Sequence, residues 1–290
     1  MDCAHIITVE GLEDKGQQDP VQQAFVECNA SQCGFCTPGF VMAMACVLER
    51  KTSPCKKDVQ NGLTGNLCRC TGYDAIIKAG IKAGSNRSRK RLQERYHRPE
   101  LVADLQSNQR IPAEISRNVA HRDQPRNISI PTSLPQAITL RAAKPVRLIS
   151  AATDLGVQIN KGHISPEHFL SLNHVPELHQ LREENGEIVV GAKVTFERLR
   201  RFSKKRAPEL SEFLDLFASP QIKHVCTLVG NVANGSPIAD SPPYLMMAEA
   251  TVMVQGPAGR RSIPMQEFYL GYKTLNLNPD ELITAISIPL

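Results

Sequence analysis

Tryptophan is absent from this 290-residue sequence, and aromatic residues of all kinds make up only 5% of it. Proteins that bind single-stranded nucleic acid stack bases on aromatic side chains, so the composition argues against such a surface. Long apolar runs are absent too, because none reaches the roughly 18 residues that a membrane-spanning helix needs. Hydrophobic residues at 41% and charged residues at 22% are typical of a globular chain, and the length suffices for two domains.

The sequence also has little net charge outside one stretch. Its formal charge is +5, and residues 85–127, with ten Lys or Arg against five Asp or Glu, account for all of it. A polar, charged segment is more often a solvated linker than a binding surface. We therefore predict a basic linker over 85–127, between a domain at 1–84 and a domain at 128–290. No nucleic-acid partner and no membrane span are expected.

Nine cysteines are present, and four of them stand in two close pairs. The run QCGFCTPG at 32–39 has a C-x-x-C pair, and the run GNLCRCTGY at 65–73 has a C-x-C pair. Groups of four thiolates select zinc, copper(I) or an iron–sulfur cluster. Neighbouring glycines let backbone N–H groups approach the sulfur atoms. The pattern predicts a metal or cluster site, while the spacing alone leaves iron–sulfur and zinc open.

Three other interpretations of the cysteines compete with this one. Disulfides are rare in a reducing cytosol, and no signal peptide is visible, so we expect a cytoplasmic protein without them. Structural zinc usually takes C-x2-4-C pairs in both halves of the site, and the C-x-C pair departs from that spacing. Buried, unliganded cysteine is common in cores and suits Cys28, Cys46 and Cys226 better than the paired cysteines.

Residues 1–84 have the periodicity of short helices. Apolar side chains recur at helical spacing in 19–28 and 39–50, and Ser53-Pro54 is a start signal for a third helix that continues to Leu63. Asp74 is predicted to cap a fourth helix. A helical domain of this size has a small core, so a metal site is expected to contribute to its folding.

From residue 128 onward, strands and helices alternate. A buried-type strand at 146–150 runs into small residues at 151–156, a pattern that lets a phosphate approach backbone N–H groups. Asn185-Gly186 predicts a hairpin turn. Small polar residues crowd 227–240 and predict a concave backbone lined by amides, with an ordinary surface loop as the alternative. A second hairpin is predicted to turn at 256–259, and a last strand at 282–289.

The two cysteine runs together resemble the second two-iron two-sulfur site of the molybdenum hydroxylases, the family of xanthine dehydrogenase and aldehyde oxidase. The resemblance implies that Cys33, Cys36, Cys68 and Cys70 ligate iron, and that Gln32 lies near a molybdopterin held by another domain or subunit. It also implies a multidomain fold of the α plus α/β class. In that fold a helical 2Fe-2S bundle precedes a two-subdomain α+β FAD-binding domain of the PCMH type.

The second half of the chain resembles the FAD-binding domain of the same family. Carried over position by position, the resemblance implies a turn that follows the flavin pyrophosphate, a second turn whose N–H groups bind the phosphates, a ribose or ribityl contact, and two residues beside the isoalloxazine ring. The first turn would consist of Leu148, Ile149, Ser150, Ala151, Ala152, Thr153, Asp154 and Leu155. The second turn would consist of Thr227, Leu228, Val229, Gly230 and Asn231. Asp240 would make the ribose or ribityl contact, and Phe217 and Ile283 would lie beside the ring.

The overall likeness is to the small, iron–sulfur and FAD-binding subunit of a bacterial xanthine dehydrogenase. It implies an oxidoreductase subunit in which electrons from a molybdopterin pass through the 2Fe-2S cluster to FAD and then to NAD. The implied partner is a molybdenum-binding large subunit, in a complex of higher order. No residue of this chain is expected to serve as catalytic acid, base or nucleophile.

The sequence departs from the family pattern in ways that affect these expectations. A ferredoxin-like domain and a C-terminal flavoprotein subdomain are missing, so the chain is expected to be truncated at both ends. Residues 150–152 read Ser-Ala-Ala where glycines are usual, and each added Cβ narrows the approach to the backbone. We therefore expect weak FAD binding that tightens when C-terminal residues are appended. The alternatives are an inactive fragment of a disrupted gene and a zinc-stabilised interaction protein without flavin.

Overall fold

The structure is a computed structural model that describes residues 3–86, 88–118 and 125–290. It divides into two compact units, which are described separately below. The first unit extends to Gln106 and includes Ser219–Gln221; the second contains Ser107–Ala218 and Ile222–Leu290. Within the described ranges, every helix is too short or too polar to cross a membrane.

The first unit is a bundle of short helices around a small apolar core. A 3-10 turn at Glu10–Leu12 precedes α1 (Pro20–Glu27), α2 (Thr37–Arg50), α3 (Lys56–Leu63), α4 (Asp74–Ser85), α5 (Leu92–Tyr96) and α6 (Pro99–Asn108). The first four α-helices turn their apolar faces inward, which buries Phe40, Met44 and Ile76 among others. These helices confirm the helical bundle that the periodicity predicted.

One detail of the predicted helices is corrected. Asp74 is the first residue of α4 rather than its cap, because the preceding Tyr73 takes the left-handed conformation with φ of 69°. Cys46, which we predicted to be buried, is exposed on α2. Since α2 is amphipathic, the residue that follows the buried Ala45 already lies on its solvent side.

The stretch 85–127, for which we predicted a linker, carries regular structure over much of its described length. It contains α5, α6 and a strand, while residues 87 and 119–124 of it lie outside the described residues. The Arg89 side chain is only 5% exposed and forms ion pairs with Asp19 and Glu49 at 3.2 and 2.8 Å. This part of the basic excess therefore neutralises carboxylates of the bundle instead of facing solvent.

Further contacts hold the same segment to the first unit. The Arg95 guanidinium donates to the carbonyl oxygens of Leu12 and Glu13 at 2.7 and 2.6 Å, and the Tyr96 hydroxyl donates to that of Gly11 at 2.5 Å. Because these acceptors are more than 80 positions away in sequence, the local pattern gave no sign of them.

The second unit is built on two sheets. The first has the order β1-β2-β4-β3, with β1 (Ala113–Arg117) antiparallel to β2 (Arg126–Ile130) and with β2 and β3 (Arg147–Ile149) both parallel to β4 (His168–Ser171). Two helices connect these strands, α7 (Leu134–Ala143) and α8 (Leu155–Asn160). A tight turn cannot join parallel strands, so the chain passes through a helix between β2 and β3 and again between β3 and β4.

The second sheet is antiparallel, with the order β5-β6-β11-β7-β8. Its strands are β5 (Leu181–Glu184), β6 (Glu187–Gly191), β7 (Thr251–Gly256), β8 (Gly259–Pro264) and β11 (Leu282–Pro289). Asn185 and Gly186 have φ of 53° and 77° between β5 and β6, which confirms the predicted hairpin. The hairpin predicted at 256–259 and the last strand are likewise present.

Shorter elements complete the second unit around a single apolar core. The helices between β6 and β7 are α9 (Phe196–Ser203), α10 (Pro208–Leu216), α11 (Pro220–Lys223), α12 (Leu228–Ala233) and α13 (Ser241–Met247), and the first two residues of α11 belong to the first unit. A small two-stranded ladder pairs β9 (Tyr269–Gly271) with β10 (Thr274–Leu275). Turns of 3-10 helix lie at Pro176–His179 and Met265–Glu267. The two-part α+β domain that was predicted for this half is confirmed.

Candidate functional site

The four paired cysteines come together at one end of the helical bundle. Cys33 and Cys36 lie in the connection from α1 to α2, and Cys68 and Cys70 in the connection from α3 to α4. The Sγ atoms of Cys33 and Cys70 are 3.6 Å apart, and the thiols of Cys36 and Cys68 contact each other. Each close pair thus joins one cysteine of the first motif to one of the second.

Hydrogen bonds hold Cys68 in place from several sides. Its Sγ contacts the Thr71 hydroxyl at 3.2 Å and accepts the backbone N–H of Cys70 at 3.4 Å. Its own N–H donates to the Tyr73 hydroxyl at 3.1 Å. Sequence reasoning missed the roles of Thr71 and Tyr73, although both belong to the quoted run that contains the C-x-C pair.

The thiols differ in acidity because their surroundings differ. The hydrogen bonds from Thr71 lower the pKa of Cys68 to about 7. Burial raises the pKa of Cys36, and its contact with Cys68 raises it further. The pKa of Cys70 is raised chiefly by the hydrogen bond with Cys33. Four thiolates in mutual contact would repel one another, so full deprotonation needs a positive charge among them.

The spacing of the sulfur atoms fits metal ligation in pairs. Two sulfurs bound to one tetrahedral metal at about 2.3 Å lie about 3.8 Å apart, close to the 3.6 Å between Cys33 and Cys70. Among the described residues, no group of three or more His, Cys, Asp or Glu is placed to hold a metal ion, and the four cysteines lie as two close pairs. Two pairs of cysteines, one beside the other, match a centre with two metals.

Large apolar side chains beside the paired cysteines are exposed. Phe35, between Cys33 and Cys36, is 96% exposed, and Leu67, which precedes Cys68, is 80% exposed. Gln32 is exposed as well. Exposed apolar surface of this kind is a common mark of a protein–protein contact when it is contiguous.

In the second unit, the two predicted flavin turns meet through their side chains. The first turn follows β3, and its Ser150 hydroxyl lies 3.5 Å from the hydroxyl of Thr227, which opens the second turn. Thr227 is buried and accepts the N–H of Gly230 at 3.0 Å, so it also caps α12. The structure therefore brings 150–155 and 227–231 together, although 76 residues separate Ser150 from Thr227.

Comparisons with known proteins identify both halves. The family described as the FAD binding domain in molybdopterin dehydrogenase matches residues 124–290. The chain belongs to this family. A second family, the [2Fe-2S] binding domain, matches residues 8–80. The predicted membership of the molybdenum hydroxylases and the two cofactor-binding domains are thereby confirmed.

Relatives of known sequence are xanthine dehydrogenases. That of Drosophila subobscura is 31% identical over an alignment of 333 residues, and that of Oryza sativa subsp. japonica is 29% identical over 348. Each alignment covers 98% of this chain but 25% of the relative. The chain thus spans about a quarter of the length of the curated relatives that it matches.

Solved structures give the same assignment for part of the chain. A carbon monoxide dehydrogenase from Hydrogenophaga pseudoflava, which lacks the Mo-pyranopterin moiety of its cofactor, has a TM-score of 0.55 and 29% identity. The match covers 59% of this chain and 60% of that one. Quinoline 2-oxidoreductase from Pseudomonas putida 86 has a TM-score of 0.53 and 27% identity, over 55% and 57% of the two chains.

The remaining predicted flavin residues are Asp240, Phe217 and Ile283. Asp240 precedes Ser241, whose hydroxyl donates to the Asn231 side chain at 2.5 Å, so Asp240 lies beside the second turn. Phe217 packs on Phe196 with 4.4 Å between ring centroids, and Ile283 is buried in β11. Phe217 and Ile283 belong to the apolar core and its margin, outside the hydrogen-bonded group that joins the turns.

Sequence reasoning missed Lys193, which reaches the first turn from the loop after β6. Its ammonium donates to the hydroxyl and the carbonyl oxygen of Ser150 at 2.8 and 3.1 Å. The residue is only 8% exposed, and burial lowers its pKa to about 8. The available signal was a lysine inside the otherwise apolar run 188–194.

Backbone strain in the first turn leads to a prediction for flavin affinity. Ala152 has φ of 58°, a conformation that costs an L-residue about 1–2 kcal/mol and that glycine adopts freely. Ala152→Gly removes this strain and a Cβ from the turn. The strain weakens binding to the extent that the unliganded turn relaxes out of this conformation, which glycine holds at no cost. We therefore expect FAD to bind several-fold more tightly to the variant, as measured by quenching of flavin fluorescence in a titration of the apoprotein.

Ala151→Gly is the matched comparison for this experiment. It removes a Cβ from the adjacent residue, whose φ is not positive, so it relieves no strain. The affinity gain should be larger for Ala152→Gly. An equal gain in both variants would show that crowding, and not backbone strain, limits binding at this turn.

Proposed function

We propose that this chain is an electron-transfer component of a molybdenum hydroxylase of the xanthine dehydrogenase type. When bound, a 2Fe-2S cluster and FAD supply the chemistry, accepting electrons from a molybdopterin site in a partner and delivering them to NAD. The observation that carries the proposal is the pairing of Cys33 with Cys70 and of Cys36 with Cys68 in a 2Fe-2S binding domain. The relatives named xanthine dehydrogenase support the type of enzyme.

The pairing supports an assignment of two cysteines to each metal. Cys33 and Cys70 would bind one iron, and Cys36 and Cys68 the other. Each iron would then join the connection before α2 to the connection before α4. Ligation would thus tie these two connections together, and the free energy of metal binding would stabilise a small core.

The residues around the cysteines would tune the site without taking part in bond chemistry. Thr71 and the N–H of Cys70 stabilise negative charge on the Cys68 sulfur, as the lowered pKa of that thiol indicates. Hydrogen bonds to cluster sulfurs are one of the means by which proteins set reduction potentials. The contribution of this chain would therefore be ligation, placement and potential.

The flavin would be held where the turns of the second unit meet. Residues 148–155 would follow its pyrophosphate, the backbone N–H groups of 227–231 would donate to its phosphates, and Asp240 would accept a hydroxyl. The contact between Ser150 and Thr227 supports this assignment, because it brings the two predicted turns to one place. Phe217 and Ile283 would contribute apolar surface near the ring.

A molybdenum-binding partner would cover the exposed surface beside the ligand cysteines. Phe35 and Leu67 offer large apolar side chains there, and Gln32 offers an amide. Burial of such side chains is the usual source of affinity at the centre of an interface. The surface would bring the partner within a short distance of Cys33 and Cys70.

The proposal is tested by the cofactor content of the 290-residue chain after anaerobic reconstitution. We expect about two irons and two sulfides per chain, a visible absorption spectrum that bleaches on reduction, and binding of FAD by the apoprotein. Stoichiometric zinc without sulfide would contradict the cluster. Absence of FAD binding would contradict the flavin half independently.

A further inference from the structure

The ammonium of Lys193 is placed by a rigid main chain. The N–H of Lys193 donates to the carbonyl oxygen of Leu178 at 2.8 Å, and that of the preceding Ala192 to Thr284 at 2.9 Å. The N–H of Val194 donates back to Gly191 at 2.9 Å. With its backbone fixed on both sides, the lysine extends across the interior to Ser150.

No carboxylate compensates this buried charge among the ion pairs that the described residues form. Burial is the sole cause of the lowered pKa of Lys193, without an acidic neighbour to oppose it. Burial lowers the pKa of His179, and Lys193 and Arg198 lower it further, so this neighbouring imidazole favours its neutral form and supplies no negative charge. A buried cation without a counter-charge is costly for a folded protein. The arrangement therefore calls for an anion from outside the chain.

The position of the ammonium indicates which anion that is. Ser150 accepts two of the three N–H donors of Lys193, and it begins the first flavin turn. Its hydroxyl also contacts Thr227, which begins the second turn. Lys193 thus places a positive charge at the junction of the two segments that are expected to follow the flavin diphosphate.

We propose that Lys193 is a binding residue for the diphosphate of FAD, and that it supplies the positive charge which the two backbone turns lack. The inference rests on the proposed function, since it assumes that FAD occupies this site. Glycine-rich turns let a phosphate approach backbone N–H groups closely. Here residues 150–152 carry side chains, and the Ser150 hydroxyl with the Lys193 ammonium replaces part of that backbone contact.

A purely structural role for Lys193 makes a different prediction. If the lysine only ties the loop after β6 to the turn after β3, then any side chain that keeps the hydrogen bond to Ser150 should suffice. If the charge matters, a neutral donor should fail even when the turn is held. Lys193→Gln keeps a donor without the charge, and Lys193→Met keeps only the apolar stem.

The experiment is a titration of the apoprotein with FAD at pH 7, by flavin fluorescence, together with melting curves of the apoprotein. We expect Lys193→Gln and Lys193→Met each to weaken FAD binding at least tenfold and to reduce its dependence on salt. Apoprotein melting should stay the same or rise, because a desolvated charge has been removed. Lys205→Met, an exposed change on the same connection, is the control and should bind like the wild type.

Binding of FAD by Lys193→Gln within twofold of the wild type would overturn the inference and leave the proposed function intact. The same holds if affinity and melting temperature fall together in both variants, which would show a structural role. If the wild-type chain binds no FAD, the flavin half of the proposed function fails, and this inference fails with it.

Discussion

Replacing Cys68 with serine should remove the cluster and loosen the helical unit, while replacing Cys46 should do neither. Serine oxygen is a poor substitute for thiolate, and Cys68 is the paired cysteine with the most hydrogen bonds from its surroundings. Metal binding at small structural sites contributes on the order of 10 kcal/mol to folding. The same loss is expected for Cys36→Ser, because each variant breaks the pair at Cys36 and Cys68.

Iron and sulfide analysis, the visible spectrum and thermal melting measure this effect. Cys46→Ser is a suitable control because Cys46 is an exposed cysteine on α2 of the same unit. Its cluster content and melting temperature should match those of the wild type. Equal loss of iron in all three variants would show that the ligands have been assigned wrongly.

Gly191, the last residue of β6, gives the other large predicted effect, which is on stability. Gly191→Ala would place a Cβ 2.4 Å from the carbonyl oxygen of Leu178 and 2.8 Å from that of Gln180. Both oxygens accept hydrogen bonds, from the N–H groups of Lys193 and Gly191, so neither can move without breaking one. We expect destabilisation of about 3 kcal/mol or more, at the upper end for overpacking.

Urea unfolding followed by circular dichroism measures the loss. Gly271→Ala is the matched control, because a Cβ there meets no atom within 4 Å and its backbone is not in the left-handed region. If the two variants unfold at the same urea concentration, the backbone at Leu178 can shift to accommodate the added Cβ. That result would contradict the rigid placement of Lys193. FAD affinity should fall with Gly191→Ala as well, since the same bonds position that lysine.

Local chemistry explains which parts of the fold were predictable from sequence. Asn185-Gly186 specifies a hairpin because few residue pairs adopt two consecutive positive φ values. The cysteine pairs indicated a metal site because thiolates flanked by glycine have few other uses. The parts that were missed depend on distant partners. Arg89 pairs with a carboxylate 70 positions away, and no periodicity reveals such a contact.

Burial of single polar residues was equally hidden in the sequence. Lys193 lies in an apolar run and would ordinarily be expected to extend to solvent. It reaches Ser150 because the loop after β6 and the turn after β3, which are distant in sequence, lie close together. The exposure of Cys46 shows the converse, because the side of a helix that a residue occupies depends on what packs against that helix. Residue type alone could not decide either case.

The contacts of Arg89 have a consequence for dissecting this protein. A fragment cut after residue 84 would contain all four paired cysteines, yet the buried Asp19 carboxylate would lose the guanidinium that pairs with it. A fragment that continues through Tyr96 would keep this pair and also the contacts of Arg95 and Tyr96 with the 3-10 turn at Glu10–Leu12. Limited proteolysis should therefore spare 88–96 and release the helical unit with that segment attached.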